Sequence, residues 1–403
     1  MPGLSRSLAL GALASLCLAA SPALAAKVTF LVTRVPGDTP AGDALTLGSN
    51  VNGWDPSEPG YAFTRATNGE YSLTLKLRPG THVEYKLTRG GWPTVEKNAD
   101  GTEKQNRVHE VKGDATVKLE VARWADSPGP VAETKSTATG TLETLHNVKS
   151  PELGNARDVI VYLPPDYKTG DKRYPVLYMH DAQNLFDAAT AFVKQEWRAD
   201  EAAEALARKG HGLIIVGIEN NSERGAEYTP FPAPLNDYKP KGDAYDAFVV
   251  KTLKPMIDAR YRTLPDREHT GVAGSSLGGL ISLYMGLSHP DVFGFVGAFS
   301  PTFFVADFSL FRWAKARPAG EPLRIYLDTG DREHDSPAFN ALSVEGVEDL
   351  GEQLQRQGHG VKVVIAKGAR HNEDAWAPRL PAVLEWFVTG KGAARPSPAP
   401  QAR

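Results

Sequence analysis

The chain has 403 residues, 41% of them hydrophobic and seven of them tryptophan, a length beyond one typical domain and a composition that can build sizeable cores. Its 45 basic and 48 acidic residues leave a net charge of −3 with no long basic run, which argues against nucleic acid, polyphosphate or an anionic membrane surface as a partner. The only cysteine, Cys17, lies in a segment that reads as a removable leader, so disulfides and thiolate metal sites are excluded from the remainder.

Residues 1–25 have the form of a signal peptide: Arg6 near the amino terminus, an apolar run over 8–18, and the small-residue cleavage signal Ala23-Leu24-Ala25. The apolar run is shorter than the roughly 20 residues a bilayer-spanning helix needs. The expectation is export, to the periplasm or beyond, without stable membrane insertion.

From 26 to 125 short β-type runs alternate with turn clusters, the clearest over 28–33, 44–47, 71–77, 83–88 and 115–121. That spacing predicts a small all-β, immunoglobulin-like sandwich. Four pieces, Gly53-Trp54-Asp55, Glu84-Tyr85-Lys86, Thr94-Val95-Glu96 and Gln105-Asn106-Arg107, resemble a starch-binding carbohydrate-binding module. The resemblance implies a sugar site of Trp54, Lys86 and Asn106. Lys97 stands where that family carries a second tryptophan, and Trp92 is the nearby candidate for the second aromatic face, its alternative being to pack a turn.

Residues 126–140, rich in Ser, Pro, Thr and Ala, read as a linker. Over 141–390 apolar strands (159–163, 174–179, 213–218, 297–299, 323–327, 361–365) alternate with amphipathic helices (199–209, 244–260, 277–288, 345–357, 377–387). Such alternation predicts an α/β domain with a central, mostly parallel sheet covered on both faces. Residues 391–403 read as a disordered tail.

The chemistry-bearing stretch is Gly274-Ser275-Ser276-Leu277-Gly278, a serine between glycines at a strand-to-helix junction. That is the context of a nucleophile elbow, where a strained turn lifts one hydroxyl above the sheet and the helix N-terminus offers backbone N–H groups to an oxyanion. Acyl transfer by serine also needs a base and an acid to orient it, in the chain order Ser, acid, His for an α/β-hydrolase. His371, after the last strand, is the expected base. The expected acid is Glu333 in Gly330-Asp331-Arg332-Glu333, with Asp331 the alternative among the crowded carboxylates Asp328, Asp331, Glu333 and Asp335. The oxyanion donors are expected to be the amides of Leu277 and Gln183, with Ala182 next in line. His180 reads as a strand-end histidine satisfied by backbone.

The motifs His180-Asp181-Ala182-Gln183-Asn184-Leu185-Phe186-Asp187, Glu227-Tyr228-Thr229-Pro230, Gly274 to Gly279, Ser300-Pro301 and His371-Asn372-Glu373 with Trp376 and Arg379-Leu380-Pro381 make 142–389 similar to the putative esterase family of α/β-hydrolases. That family includes siderophore, feruloyl and acetylxylan esterases, formylglutathione hydrolases and mycolyltransferases. The resemblance implies Ser276 as nucleophile, His371 as base and Glu333 as acid, with no metal or organic cofactor. Asn220, Arg224, Glu227 and Tyr228, in the loop after a central strand, are candidates to line the acyl or alcohol pocket, with Arg224 suited to a catecholate or carboxylate oxygen. The implied activity is that of an exported serine carboxylic ester hydrolase on a siderophore-type or carbohydrate-linked ester. The alternatives are acyl transfer on the same triad and a glycan-binding protein with a non-catalytic scaffold.

Overall fold

Alternating side chains build the N-terminal unit. Its strands are β1 (Ala26–Arg34), β2 (Thr46–Ser49), β3 (Thr64–Arg65), β4 (Tyr71–Leu77), β5 (His82–Thr88), β6 (Glu96–Lys97), β7 (Arg107–Glu110), β8 (Ala115–Glu120) and β9 (Arg123–Trp124). They form sheets of order β3-β4-β1-β8, β2-β5-β7 and β6-β9, with β1 and β8 parallel. Val28, Phe30 and Val32 of β1 share one core with Val83, Tyr85 and Leu87 of β5. By the period-2 rule, His82, Glu84 and Lys86 of β5 therefore stand on the opposite face of their sheet. Glu96, fully buried, accepts from Arg107 Nη2 at 2.8 Å and from the Leu87 amide at 3.0 Å, so this motif glutamate and arginine clamp the unit together.

The chain is described here from a computed structural model covering residues 25–102, 104–128, 135–191, 194–232, 239–306, 308–317, 320–334 and 337–390. The expected signal peptide up to residue 24, linker residues 129–134, the carboxylate Asp335 and the expected tail lie outside the described residues.

The second unit is an eight-stranded sheet of β10 (Thr141–Ser150), β11 (Asn155–Leu163), β12 (Val176–His180), β13 (Ile214–Ile218), β14 (Thr270–Ser275), β15 (Phe295–Phe299), β16 (Arg324–Gly330) and β17 (Gly360–Ala366). The order is β10-β11-β13-β12-β14-β15-β16-β17. β10 and β11 are antiparallel, and the pairs from β13 to β17 are parallel. One face is packed by the helices Leu277–Ser288, Ser309–Ala316 and Pro337–Arg356 and by the helical run 242–260; the other by Ala199–Ala207 and Leu380–Thr389. Each fully buried aliphatic side chain in these cores contributes roughly 1.5–3 kcal/mol relative to exposure.

Two elements depart from the sequence expectation. β10 was not predicted, because as an edge strand it buries only a few of its side chains and its sequence lacks an apolar alternation. The helix expected over 345–357 begins earlier, at Pro337, where proline suits the first turn. Among the described residues no helix is long and apolar enough to cross a membrane.

Candidate active site

Sheet order brings the expected triad to one edge. Ser276 follows β14, Glu333 follows β16 and His371 follows β17, and these strands run parallel, so the three loops leave the same end of the sheet. Ser276 has φ 58° and ψ −124°, a conformation L-residues rarely adopt, and it passes directly into the helix Leu277–Ser288. Its neighbours must be small: a Cβ on Gly274 would lie 2.9 Å from the Gly278 backbone and from His180 Cδ2. The elbow is tied down by the Ser276 amide donating to Phe299 O at 3.0 Å.

The Ser276 hydroxyl is hydrogen-bonded to the Thr302 hydroxyl at 2.9 Å. Thr302 itself was not anticipated, since nothing in its local pattern marks it. His371 Nδ1 bonds Glu333 Oε2 at 2.9 Å. The other oxygen of Glu333 accepts from the Gly330 amide at 2.6 Å and from the Ser300 hydroxyl, which in turn accepts from Trp376 Nε1 at 2.9 Å. The Trp376 ring also meets His371 edge-on, centroids 5.0 Å apart. Burial pushes the Glu333 carboxyl up, but the His371 charge and bond, with the Ser300 and Gly330 donors, hold it below the ordinary value. Burial lowers His371, and the Glu333 charge and hydrogen bond, with Glu84 and Glu373 behind them, outweigh it and raise it.

Two other carboxylates of the acid loop, Asp328 and Asp331, are otherwise engaged. Asp328 is fully buried against Arg379, 2.6 Å away, and the Tyr326 hydroxyl, 2.7 Å away. Asp331 accepts from the Gly368 amide at 2.5 Å.

Of the oxyanion candidates, Leu277 opens its helix, where an amide has no intrahelical partner. Gln183 lies in the short turn Ala182–Asn184, entered through Asp181 at φ 61°, and the turn's own bonds use the amides of Asn184 and Leu185. The Gln183 side chain donates to Asn220 Oδ1 at 2.7 Å, which joins two of the expected site residues.

Among the remaining candidates, Tyr228, Glu227 and Lys86 are buried. Tyr228, expected to line the pocket, is fully buried against His180 and Tyr245, so it supports the loop from beneath. Glu227 is likewise buried, paired with Arg157 at 2.8 Å. Arg224 is committed to Asp181 by two bonds of 2.7 and 2.8 Å, the same carboxylate that accepts from Asn220 at 2.5 Å. His180 Nδ1 bonds the Tyr245 hydroxyl at 2.9 Å instead of backbone, its Nε2 is buried without a hydrogen-bond partner, and burial lowers its pKa to about 4. In the N-terminal unit Lys86 is only 3% exposed, so it is not presented on an open sugar-binding surface. Asn106 is exposed and donates to Glu84 at 3.4 Å. Trp92 lies over Gly48 and within 6.2 Å of Trp54, ring to ring.

Among the described residues one acidic group, Glu196, Asp200 and Glu201, brings carboxylate oxygens within 4.8 Å of one another. Two of its members hold the incoming linker: Glu196 accepts from the Thr137 hydroxyl, and Asp200 accepts from the Thr139 amide at 2.6 Å.

Residues 150–387 match the family described as Putative esterase. The N-terminal region is 47% identical over 101 residues to an alpha-amylase of Niallia circulans, 25% of this chain but only 8% of the amylase. The ferri-bacillibactin esterase BesA of Bacillus subtilis is 26% identical over 220 residues, 49% of this chain and 73% of that protein. The enterobactin esterase FES from Shigella flexneri shares the fold, with a TM-score of 0.51 and 18% identity over 85% of this chain and 88% of that one. The family match spans more than half the chain, over the sheet that carries Ser276, Glu333 and His371: the chain belongs to the putative esterase family and is a carboxylic ester hydrolase.

Proposed function

We propose that this chain is an exported serine esterase acting on a carbohydrate-linked ester through Ser276, His371 and Glu333. The observation that carries the reading is the Glu333–His371 hydrogen bond of 2.9 Å at the sheet edge that also presents Ser276 on a strained turn. His371 takes the hydroxyl proton as Ser276 Oγ attacks the ester carbonyl, and gives it to the departing alcohol as the C–O bond breaks. Water, deprotonated by the same imidazole, then attacks the acyl-enzyme and releases the acid. The Leu277 and Gln183 amides hold the oxyanion in both steps.

The carbohydrate part rests on the N-terminal unit, taken as an immunoglobulin-like sandwich of the starch-binding kind. Trp54 and Trp92, ring centroids 6.2 Å apart and tilted by 40°, supply the two aromatic faces, with Trp92 in the role that Lys97 cannot fill. A siderophore-type ester is the second reading, favoured by the fold shared with FES across both units. A panel of acetylated xylan, feruloyl sugars, a catecholate trilactone and short p-nitrophenyl esters separates them. Turnover of the sugar esters is expected, with Ser276→Ala losing on the order of 10³-fold or more. Preference for the trilactone would move the assignment to the siderophore class, and full activity of Ser276→Ala would overturn the triad.

A further inference from the structure

Adjacent residues of the acid loop look in two directions. Glu333 grips His371, and His334, next in the chain, turns its ring toward the N-terminal unit, where Nδ1 lies 3.5 Å from Glu84 Oε1. The His334 ring is also stacked on His371, centroids 6.0 Å apart and planes 25° from parallel. A carboxylate of the sandwich therefore sits one ring away from the imidazole that serves as base.

The contact is built on both sides. Asn340 brackets the His334 backbone, its side chain accepting from the His334 amide at 2.8 Å and donating to its carbonyl at 2.7 Å. Phe304 and Phe339 meet the His334 ring edge-on, at 5.8 and 5.7 Å. On the sandwich side Glu84 is fixed by His82 Nε2 at 3.2 Å and Asn106 Nδ2 at 3.4 Å, and His82 Nδ1 bonds Glu110 at 2.6 Å. His82 also packs against Phe339, at 5.8 Å. Burial alone would raise the Glu84 carboxyl, but His334 and His82 hold it well below the usual carboxylate range, so it stays an anion. The Glu84 bond raises His82 to about 9.

We propose that Glu84 of the N-terminal unit is a positioning residue of the esterase site, holding the His334 ring against His371 and placing a fixed negative charge behind the base. The proposal rests on His371 being that base. The ionisable groups that face His371 are then Glu333 from the loop after β16, Glu373 from the helix that follows it, His334, and Glu84 from β5. Glu84 is the one supplied by the other unit, so the sandwich takes part in tuning the chemistry as well as in binding. An anion near an imidazolium favours the protonated form and stabilises the charge that develops on His371 as Ser276 attacks.

The test is the pH profile of kcat/KM for a short p-nitrophenyl ester, which carries no sugar, measured on the full chain. Glu84→Gln is expected to move the acid limb toward lower pH, by roughly 0.3 to 1 unit, and to lower kcat several-fold while KM stays within about twofold. Glu110→Gln, which perturbs His82 without touching His334, should leave the profile in place. His334→Gln breaks the same link from the esterase side and serves if Glu84→Gln fails to fold. The double variant should then show no more than the larger single effect. If folded Glu84→Gln and His334→Gln both melt early yet keep the wild-type limb and kcat, Glu84 is only a brace and the proposal fails. Loss of activity in Ser276→Ala and His371→Ala keeps that failure separate from failure of the triad itself.

Discussion

Glu333 and His371 are joined at 2.9 Å, and the glutamate oxygen facing away from the imidazole is anchored by Gly330 and Ser300. This second anchor fixes which way the carboxylate points, so in the proposed triad it would hold the imidazole in one orientation instead of sampling the loop. Glu333→Gln is expected to lower kcat by roughly 10² to 10⁴-fold, because an amide orients the imidazole but does not stabilise its charged form. Asp331→Asn, which alters only a bond to the Gly368 amide, should stay within about threefold of wild type. A larger loss in Asp331→Asn than in Glu333→Gln would reverse the assignment of the acid.

The pH profile follows from the same pair. In the proposed mechanism His371 works as base when neutral, and Glu333, Glu84 and Glu373 together raise it above the ordinary 6.5 in spite of its burial. Activity should therefore fall as pH drops through a midpoint above 6.5, higher than a free histidine would give. The linked stability has the matching sign: a histidine raised on folding stabilises the native state fully below its unfolded pKa, and that contribution is lost as pH rises through the folded value. His371→Ala should cost more thermal stability at pH 6 than at pH 9. An acid limb centred below 6, or equal melting losses at both pH values, would contradict this.

The elbow was legible because a strained turn over a sheet leaves little room beside it, and Gly274, where a Cβ would lie 2.9 Å from the Gly278 backbone, writes that demand into the sequence. That His371 and Glu333 would meet was legible by chain order, since strand-loop-helix succession fixes which loops share an edge. Thr302 and the Glu84–His334 contact were not, because both depend on packing between segments far apart in the chain. Tyr228 shows the same limit in reverse: an aromatic residue in a loop reads alike whether it lines a pocket or, as here, supports it from below. Lys86 alternates correctly out of the N-terminal core yet is covered, which period-2 reasoning about one sheet cannot foresee.

A buried ion pair holds the loop beneath the site. Arg157 and Glu227 are joined by bonds of 2.8 Å through both terminal guanidinium nitrogens, Nη1 and Nη2, with side chains 1% and 0% exposed, and the Arg157 guanidinium lies 5.4 Å above the Tyr245 ring. Removing one partner leaves the other charged and desolvated. Glu227→Ala is expected to cost about 3–5 kcal/mol of unfolding free energy by denaturant titration. A loss under about 1 kcal/mol would mean that water reaches the arginine.

Asp200 offers the opposite effect. It is fully buried at the start of the helix Ala199–Ala207, close to Glu196 and Glu201, and accepts from the Thr139 amide and hydroxyl. Burial first, then Glu201, push its pKa up to about 7. An acid raised on folding binds more protons in the native state between its unfolded and folded values, so its charged form penalises folding above pH 7, and the penalty fades as pH falls toward 4. Asp200→Asn keeps an acceptor for Thr139 and removes the charge, so its melting temperature at pH 8 should exceed wild type by about 2–5 °C. At pH 5, part-way down that window, the gain should be smaller, and it should vanish only below the unfolded value near pH 4. A variant that melts lower than wild type at pH 8 would show that the negative charge at this junction is needed, and that its cost is offset by something other than a proton.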